Sequence, residues 1–145
     1  MNSHEAFKLV LVAVDGSSIS LRAAEVAARI AKHEGAQLLA LHVVPTPSSE
    51  VPGELADYYE QARKNARRWM KEVESTATRQ GLRIRSDIVV GAHSVVDAIL
   101  GVAETVGADL IVTGTRGRTP SQRIVVGSVA SALVEYGGCA VLVVR

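Results

Sequence analysis

Aromatic residues and cysteines are scarce in this chain, and each shortage narrows the possible folds. Only 3% of the 145 residues are Phe, Trp or Tyr, although 48% are hydrophobic, so the core must be built from Val, Leu, Ile and Ala. This composition is typical of a parallel sheet flanked by alanine-rich helices. The single cysteine, Cys139, permits no internal disulfide and favours a reducing cytoplasm as the location.

Long apolar runs and blocks of like charge are also absent from the sequence. No stretch is long and apolar enough to span a membrane, and the N-terminus lacks the pattern of a signal peptide. The formal net charge is +1 without a dense Lys/Arg block, which argues against a general nucleic-acid surface. No Cys, His and Asp residues have metal-ligand spacing, and no Ser/His/Asp or Cys/His arrangement suits nucleophilic catalysis. The length predicts one domain, residues 1–145.

Strand-like and helix-like segments alternate along the chain. Apolar runs predict four strands, at residues 8–14, 37–44, 110–113 and 139–144. A segment that alternates and then turns apolar, at residues 83–90, predicts a further strand, the third along the chain. Helical spacing of apolar residues predicts four helices, which begin at Ser17 or Ser18, near Leu55, at Ser94 and at Ser128. We expect the second strand to stop before Pro45 and the third to stop at Gly91, because proline and glycine interrupt strands.

This order of strands and helices predicts an α/β fold. The expected architecture is a doubly wound, five-stranded parallel sheet of strand order 3-2-1-4-5 with helices on both faces. In such sheets, ligands bind beyond the carboxyl ends of the strands, where the winding reverses. Here the reversal falls between strands one and four, next to residues 13–17 and 114–117.

Three residues near this point have competing interpretations. Asp15, at the end of strand one, either caps the following helix or contacts a ligand, and its position at the reversal favours the ligand. His42 lies within an apolar strand and is more typical of a core residue than of a metal ligand. Trp69, on the second helix, is more typical of packing than of a platform for a cofactor.

A glycine-punctuated loop follows the fourth strand, in the sequence ADLIVTGTRGRTPSQRIVVGSVAS. It contains Gly114, Gly117 and Gly127, and Ser128 then opens a helical pattern. A strand that passes through such a loop into a helix aims backbone amides at a phosphate. We expect Gly127 and Ser128 to bring free N–H groups to one point with the positive end of the helix dipole, and Arg116 adds charge nearby. The spacing is neither the dinucleotide pattern nor the P-loop, and simple turns explain the glycines about equally well.

Four segments of the chain resemble the universal stress protein family, in its ATP-binding branch. LVAVDGSS and ALHVV are similar to the family's first two strands, and ADLIVTGTRG and VVGSVASALV are similar to its phosphate-binding region. The resemblance covers nearly the whole chain. It implies a Rossmann-like fold of the adenine nucleotide alpha hydrolase type.

The resemblance also assigns parts of a nucleotide to particular residues. It implies that Asp15 binds the ribose hydroxyls or the adenine, and that the backbone of Val43 contacts the adenine edge. It implies phosphate contacts from the glycines of the loop and from the start of the last helix. Together with the reversal point, it gives a candidate ATP site of Ala13, Asp15, Gly16, Val43, Gly114, Arg116, Gly117, Gly127, Ser128 and Val129. Mg²⁺ is expected to be carried on the phosphates.

These observations favour an ATP-binding regulatory protein, active in stress, over an enzyme. Phosphoryl transfer normally needs a positioned base and dedicated metal ligands, and neither accompanies the glycine motif, so we expect at most slow hydrolysis. The alternatives are a nucleotide hydrolase or phosphotransferase, and an interaction module that is empty or binds AMP or cyclic AMP. Because strand five is apolar and is expected at the sheet edge, we predict a homodimer through it, as the resemblance also implies.

Overall fold

The computed structural model describes residues 6–49, 53–115 and 126–145. Along this part of the chain the elements are β1 (Leu9–Ala13), α1 (Ser18–Glu34), β2 (Gln37–Pro45), α2 (Leu55–Arg79), β3 (Ile84–Ala92), α3 (Val95–Val106), β4 (Leu110–Gly114), α4 (Ser128–Tyr136) and β5 (Ala140–Val144). All strand pairs are parallel, in the order β3-β2-β1-β4-β5. The predicted doubly wound sheet is confirmed.

The helices pack on opposite faces of the sheet in two pairs. Helices α1 and α2 cover one face, and α3 and α4 cover the other, so the winding reverses between β1 and β4 as expected. In β1, Val10 and Val12 are fully buried under α1 and α2, whereas Leu11 is fully buried under α3 and α4. The central strand is therefore buried on both sides, which explains its unbroken apolar sequence.

Strands β2 and β3 run further than the sequence pattern predicts. Pro45 ends β2 inside the sheet, and β3 passes through Gly91 to Ala92, so both predicted stops are wrong. Val44 pairs with Val90 but Pro45 pairs with Ala92, which makes Gly91 the extra residue of a β-bulge. A bulge at the end of a ladder accepts a proline, because few ladder hydrogen bonds depend on its missing N–H.

Capping residues fix the ends of two helices. The Ser17 hydroxyl accepts a hydrogen bond from the Ser20 N–H at 3.1 Å at the start of α1, and Ser94 accepts one from the Asp97 N–H at 3.1 Å at the start of α3. Gly35 ends α1 in the left-handed conformation, with φ of 69°. These serines satisfy amides that a first helical turn leaves without partners, and the predicted starts of α1 and α3 are confirmed.

Helix α2 is amphipathic over its 25 residues. Its buried positions recur at steps of three and four, at Ala66, Met70, Val73 and Ala77. Trp69 is half-buried against the same layer, which confirms its predicted packing role, while Arg63 and Arg67 lie outside with Glu60 at 3.7 and 3.9 Å. Within the described ranges, no helix combines the length and apolar character needed to cross a membrane.

Candidate functional site

Three backbone groups that follow β1 show where the chain stops pairing with the sheet. The Val14 N–H still donates to the Leu41 carbonyl of β2 at 2.9 Å, but the Asp15 N–H donates instead to the Ser20 hydroxyl at 3.2 Å. The Val14 carbonyl lies 2.6 Å from Nδ1 of His42. Because a carbonyl oxygen only accepts, Nδ1 carries the proton of this bond. His42 is thus a structural donor at the end of β1, as its strand position predicts.

Asp15 uses one carboxylate oxygen to shape the turn that follows β1. Its Oδ1 accepts from the Ser17 N–H at 3.0 Å and from the Ser17 hydroxyl at 2.6 Å, and Ser17 in turn caps α1. Oδ2 of Asp15 makes no hydrogen bond to any described residue, and the side chain is only half-buried. One oxygen therefore supports the capping interpretation, and the other stays available to a ligand.

Gly16 rests directly on the indole ring of Trp69. A Cβ added at Gly16 would lie 2.3 Å from Cε2 of Trp69, and the backbone there has φ of 86°. Neither the space nor the conformation accepts a side chain. Trp69 is held by an edge-on contact with His42, at 5.0 Å between ring centroids and an interplanar angle of 87°. The turn at Asp15 and Gly16 thus has a rigid aromatic floor.

Val43 presents its backbone, and not its side chain, to the end of β1. Its side chain is buried, at 7% exposure, in the layer under α3. The Leu41 carbonyl faces β1, and alternate residues of a strand direct their backbone groups to the same neighbour. The N–H and carbonyl of Val43 therefore point to the β1 side, beyond Ala13, where β1 has ended.

The end of β4 holds the start of α4 through Thr115. Gly114 is the last residue of β4 and pairs with Val144 of β5. The next N–H, that of Thr115, donates to the Val144 carbonyl at 2.8 Å, and the Thr115 carbonyl accepts from the Gly127 N–H. The expectation that Gly127 contributes a free N–H is therefore wrong. The extended conformation of Gly127, with φ of −73° and ψ of 170°, turns that amide back to the sheet.

The first turn of α4 keeps amides without a side-chain cap. Gly127 is its N-cap and supplies no side-chain hydrogen bond, in contrast to Ser17 in α1 and Ser94 in α3. Ser128 is exposed and Val129 half-buried. Such a helix start carries a partial positive charge and aligned N–H donors, and this combination binds anions. Helix α4 begins at Ser128, one residue later than Gly127, and the phosphate contacts of this helix start stay a prediction.

The two groups of predicted site residues follow the ends of two adjacent strands, β1 and β4. Val12 of β1 pairs with Val112 of β4, and neighbouring strands lie about 4.8 Å apart. Asp15 follows Val12 by three residues, and the Gly127–Thr115 bond keeps the start of α4 at the same edge of the sheet. Arg116 and Gly117 lie outside the described residues, so the structure does not place them.

Sequence reasoning missed the residues that position this site. Ser17 links Asp15 to α1, Thr115 links β4 to α4, and Trp69 supports Gly16. The pair Asp15-Gly16 was a usable signal, since a glycine after a strand-end acid often marks a close approach. The partner of that approach, Trp69, lies 53 positions further along the chain and has no local signal.

The described residues contain no cluster of metal ligands, and the single cysteine precedes β5, at the sheet edge opposite the candidate site. In the ranges the structure describes, no three His, Cys, Asp or Glu side chains come together in a way that could hold a metal. Burial raises the pKa of the half-buried Cys139 thiol, and the nearby charge of Asp109 raises it further, while a backbone hydrogen bond from Ile111 lowers it. A thiol with a raised pKa is a poor nucleophile at neutral pH.

Comparisons with known proteins agree with this architecture. The model of the universal stress protein family matches residues 6–145. A universal stress protein of Methanocaldococcus jannaschii is 33% identical over an alignment of 147 positions that covers 99% of this chain and 85% of the relative. A solved universal stress protein from Lactobacillus plantarum is 29% identical, with a TM-score of 0.79 over 98% of this chain and all of its own. A universal stress protein in complex with cAMP is 28% identical, with a TM-score of 0.77 over 97% of this chain and 99% of its own.

Proposed function

Because this chain belongs to the universal stress protein family, we propose that it binds ATP where β1 and β4 end and acts as a nucleotide-dependent regulator in the stress response. The observation that supports this most is the start of α4, which has no side-chain cap and is tied to β4 through Gly127 and Thr115. Phosphate is a natural ligand for such a helix start. The proposed setting is the cytoplasm, in keeping with a single cysteine.

Each part of the nucleotide has a fitting group in this proposal. Oδ2 of Asp15 accepts from the ribose hydroxyls, and the backbone of Val43 offers a donor and an acceptor to the adenine edge. The amides of Ser128 and Val129 donate to the phosphates. The negative charge of Asp15 repels phosphate, so the ribose lies over β1 and the phosphates over α4. Mg²⁺ is carried on the phosphates and held mainly by them.

The homodimer of this proposal forms through β5 and the outer face of α4. Strand β5 is at the sheet edge, and Val134 and Tyr136 of α4 are 57% and 68% exposed. The Val144 carbonyl faces β4, so by alternation the N–H of Val143 faces outward and is free to pair with a second copy. Because α4 also holds the phosphate site, nucleotide and dimer contacts share one helix.

The dimer is tested by removing that outward donor alone. The variant Val143→Pro loses the edge N–H while the bonds from β5 to β4 remain. We expect the wild type to sediment as a dimer and the variant as a monomer with its far-UV circular dichroism unchanged. A monomeric wild type at assay concentrations, or a variant that stays dimeric, would reject this interface.

Nucleotide binding is tested by calorimetric titration with ATP, ADP, AMP and cyclic AMP. If the start of α4 holds the terminal phosphates, ATP binds most tightly and also raises the melting temperature most. Equal affinities for ATP and AMP would confine the contacts to the adenosine and the α-phosphate. Preference for cyclic AMP would favour the AMP or cyclic AMP alternative, which the related protein in complex with cAMP makes concrete.

Two substitutions separate the halves of the site. Ser128→Pro removes one phosphate-directed amide, and the helix tolerates it because proline suits a first helical position after an extended residue such as Gly127. Ser128→Ala is the matched control, since it removes the hydroxyl but keeps the amide. Loss of one hydrogen bond to a charged phosphate should weaken ATP binding about 10- to 100-fold and leave adenosine binding unchanged. Asp15→Asn should weaken the binding of adenosine, and that of ATP by less, because it also removes a charge that repels the phosphates.

Slow hydrolysis at most is part of the same proposal. Asp15 is the acidic residue at the end of β1, and its Oδ1 is held by Ser17 and thus is poorly suited to activate water. A steady-state assay with labelled ATP in excess should release less than one equivalent of phosphate per protein chain over many minutes. Rapid, continuous release that disappears in Ser128→Pro would instead favour the hydrolase alternative.

A further inference from the structure

A shallow trough runs along the outer side of α1, away from the nucleotide crevice. It consists of two adjoining cavities that share Val26 and Arg29. The first, of about 590 Å³, lies between α1 and α2 and is bordered by Arg22, Glu25 and Arg79 as well. The second, of about 660 Å³, continues past the end of α1 towards the residues that precede β1. We name this surface the α1 trough.

The first cavity of the α1 trough has an excess of positive charge. Arg22, Arg29 and Arg79 border it, against the single carboxylate of Glu25. Glu25 is three and four positions from Arg22 and Arg29, yet neither arginine forms a salt bridge with it or with another described residue. Among the described residues, the Arg79 guanidinium donates to the Thr76 hydroxyl at 3.3 Å and forms no salt bridge.

The excess is a local property of this surface. The chain as a whole has a net charge of only +1. Further up α2, Arg63 and Arg67 share one carboxylate, that of Glu60, whereas the arginines of the α1 trough have no carboxylate partner among the described residues. Unpaired guanidinium groups grouped around one groove suit carboxylates, which they bind with two parallel N–H donors.

The second cavity of the α1 trough is mainly apolar. Phe7, Val26 and Ile30 line it and are half-buried. Its carboxylate, Glu34, accepts the Phe7 N–H at 3.2 Å and is therefore engaged within the protein. An apolar floor next to a cationic border is unlike a surface for nucleic acid, whose backbone offers phosphates at regular spacing and no apolar side chains.

We propose that the α1 trough binds an acidic peptide segment of a partner protein, with its carboxylates on Arg22, Arg29 and Arg79 and an apolar side chain over Val26 and Ile30. Positions 22 to 34 of α1 span about 18 Å at about 1.5 Å per residue. An extended peptide of about five or six residues at about 3.3 Å each covers that length. Peptide binding in the α1 trough does not depend on ATP binding.

The test uses the full chain and a fluorescein-labelled dodecapeptide that contains glutamates and two leucines. Fluorescence anisotropy measures its affinity, and amide chemical shifts in the ¹⁵N spectrum map where it binds. The test variant is Arg22→Glu/Arg29→Glu, and the matched control is Lys64→Glu/Lys71→Glu, which changes the net charge equally at exposed positions of α2 outside the trough. Exposed Arg-to-Glu changes leave helix propensity nearly unchanged, and a thermal melt of each variant verifies the fold.

We expect saturable binding of the acidic peptide, with shifts centred on α1 and the end of α2. The Arg22→Glu/Arg29→Glu variant should weaken it about tenfold or more, and the Lys64→Glu/Lys71→Glu variant much less. Replacing the two leucines of the peptide by serine should also weaken binding. Equal losses in both variants, tighter binding of a lysine-for-glutamate peptide, or tighter binding of a single-stranded oligonucleotide would each overturn the proposal.

Discussion

The contact between Gly16 and Trp69 predicts a large and separable loss of stability in Gly16→Ala. An alanine at position 16 would have to keep φ of 86°. This left-handed backbone conformation costs a residue with a side chain about 1–2 kcal/mol of folding free energy. The added Cβ also meets Cε2 of Trp69 at 2.3 Å, and such overpacking costs about 1–3 kcal/mol. The sum, about 2–5 kcal/mol, is a large part of the about 5–15 kcal/mol that stabilises a typical domain.

Two reference variants divide this cost into its parts. Gly35→Ala places a side chain at φ of 69° with no atom within 4 Å of the new Cβ, so it should lose only the conformational part. In a Trp69→Val background the side chain ends at Cγ and leaves the place of the ring open. In that background, Gly16→Ala should lower the free energy of unfolding by about as much as Gly35→Ala does in the wild type. The coupling free energy between positions 16 and 69 should be about 1–3 kcal/mol.

Urea unfolding followed by far-UV circular dichroism measures these free energies without the tryptophan signal. Single transitions with equal slopes allow the four proteins of the cycle to be compared directly. If Gly16→Ala loses the same free energy in both backgrounds, or no more than Gly35→Ala, then the ring of Trp69 does not support the turn. That result would refute the rigid aromatic floor under the crevice.

Other contacts predict smaller or chemical effects. Asp109→Ala should lower the free energy of unfolding by about 1–3 kcal/mol, because its oxygens accept the N–H groups of Lys8 and Leu9 at 2.9 and 3.1 Å; an unchanged urea midpoint would contradict this. Ser94→Ala should lose about 1 kcal/mol in the same assay as the cap of α3 disappears. Cys139 should be alkylated by iodoacetamide more slowly than free cysteine, with the midpoint of its rate–pH profile shifted upward, because its pKa is raised; a profile equal to that of free cysteine would refute the burial argument.

Most of the fold was accessible from the sequence because the period of the apolar residues changes with each element. The run of residues 9–14 has no polar interruption, as a strand buried on both faces requires, and the caps Ser17 and Ser94 stand where their helices begin. The pattern failed at Pro45 and Gly91. There, general rules for isolated strands missed a bulge, since a bulge depends on how two strands pair and not on either sequence alone.

The sequence predicted which strand and helix ends the candidate site residues occupy, but not the hydrogen bonds that those residues make, for a related reason. Asp15 and Ser128 were identifiable because each follows directly on a strand or begins a helix, and topology brings those ends together. The fate of the Gly127 N–H was not, because it depends on the carbonyl of Thr115. Likewise, the floor under Gly16 comes from Trp69, on another helix. Local sequence determines which groups are present, whereas tertiary contacts determine which of them remain free.

The first turns of α1 and α4 lie at the same edge of the sheet but differ in capping, and this difference orients the proposed ligand. At α1 the protein satisfies its own amides, since Ser17 caps the helix and is itself held by the carboxylate of Asp15. At α4 no side chain does so, because glycine is the N-cap. An anion is therefore repelled from the first start by Asp15 and attracted to the second by the amides of Ser128 and Val129. A neutral ligand would gain from neither contrast. The capping pattern therefore supports the proposal of a ligand with hydroxyls at one end and phosphate at the other.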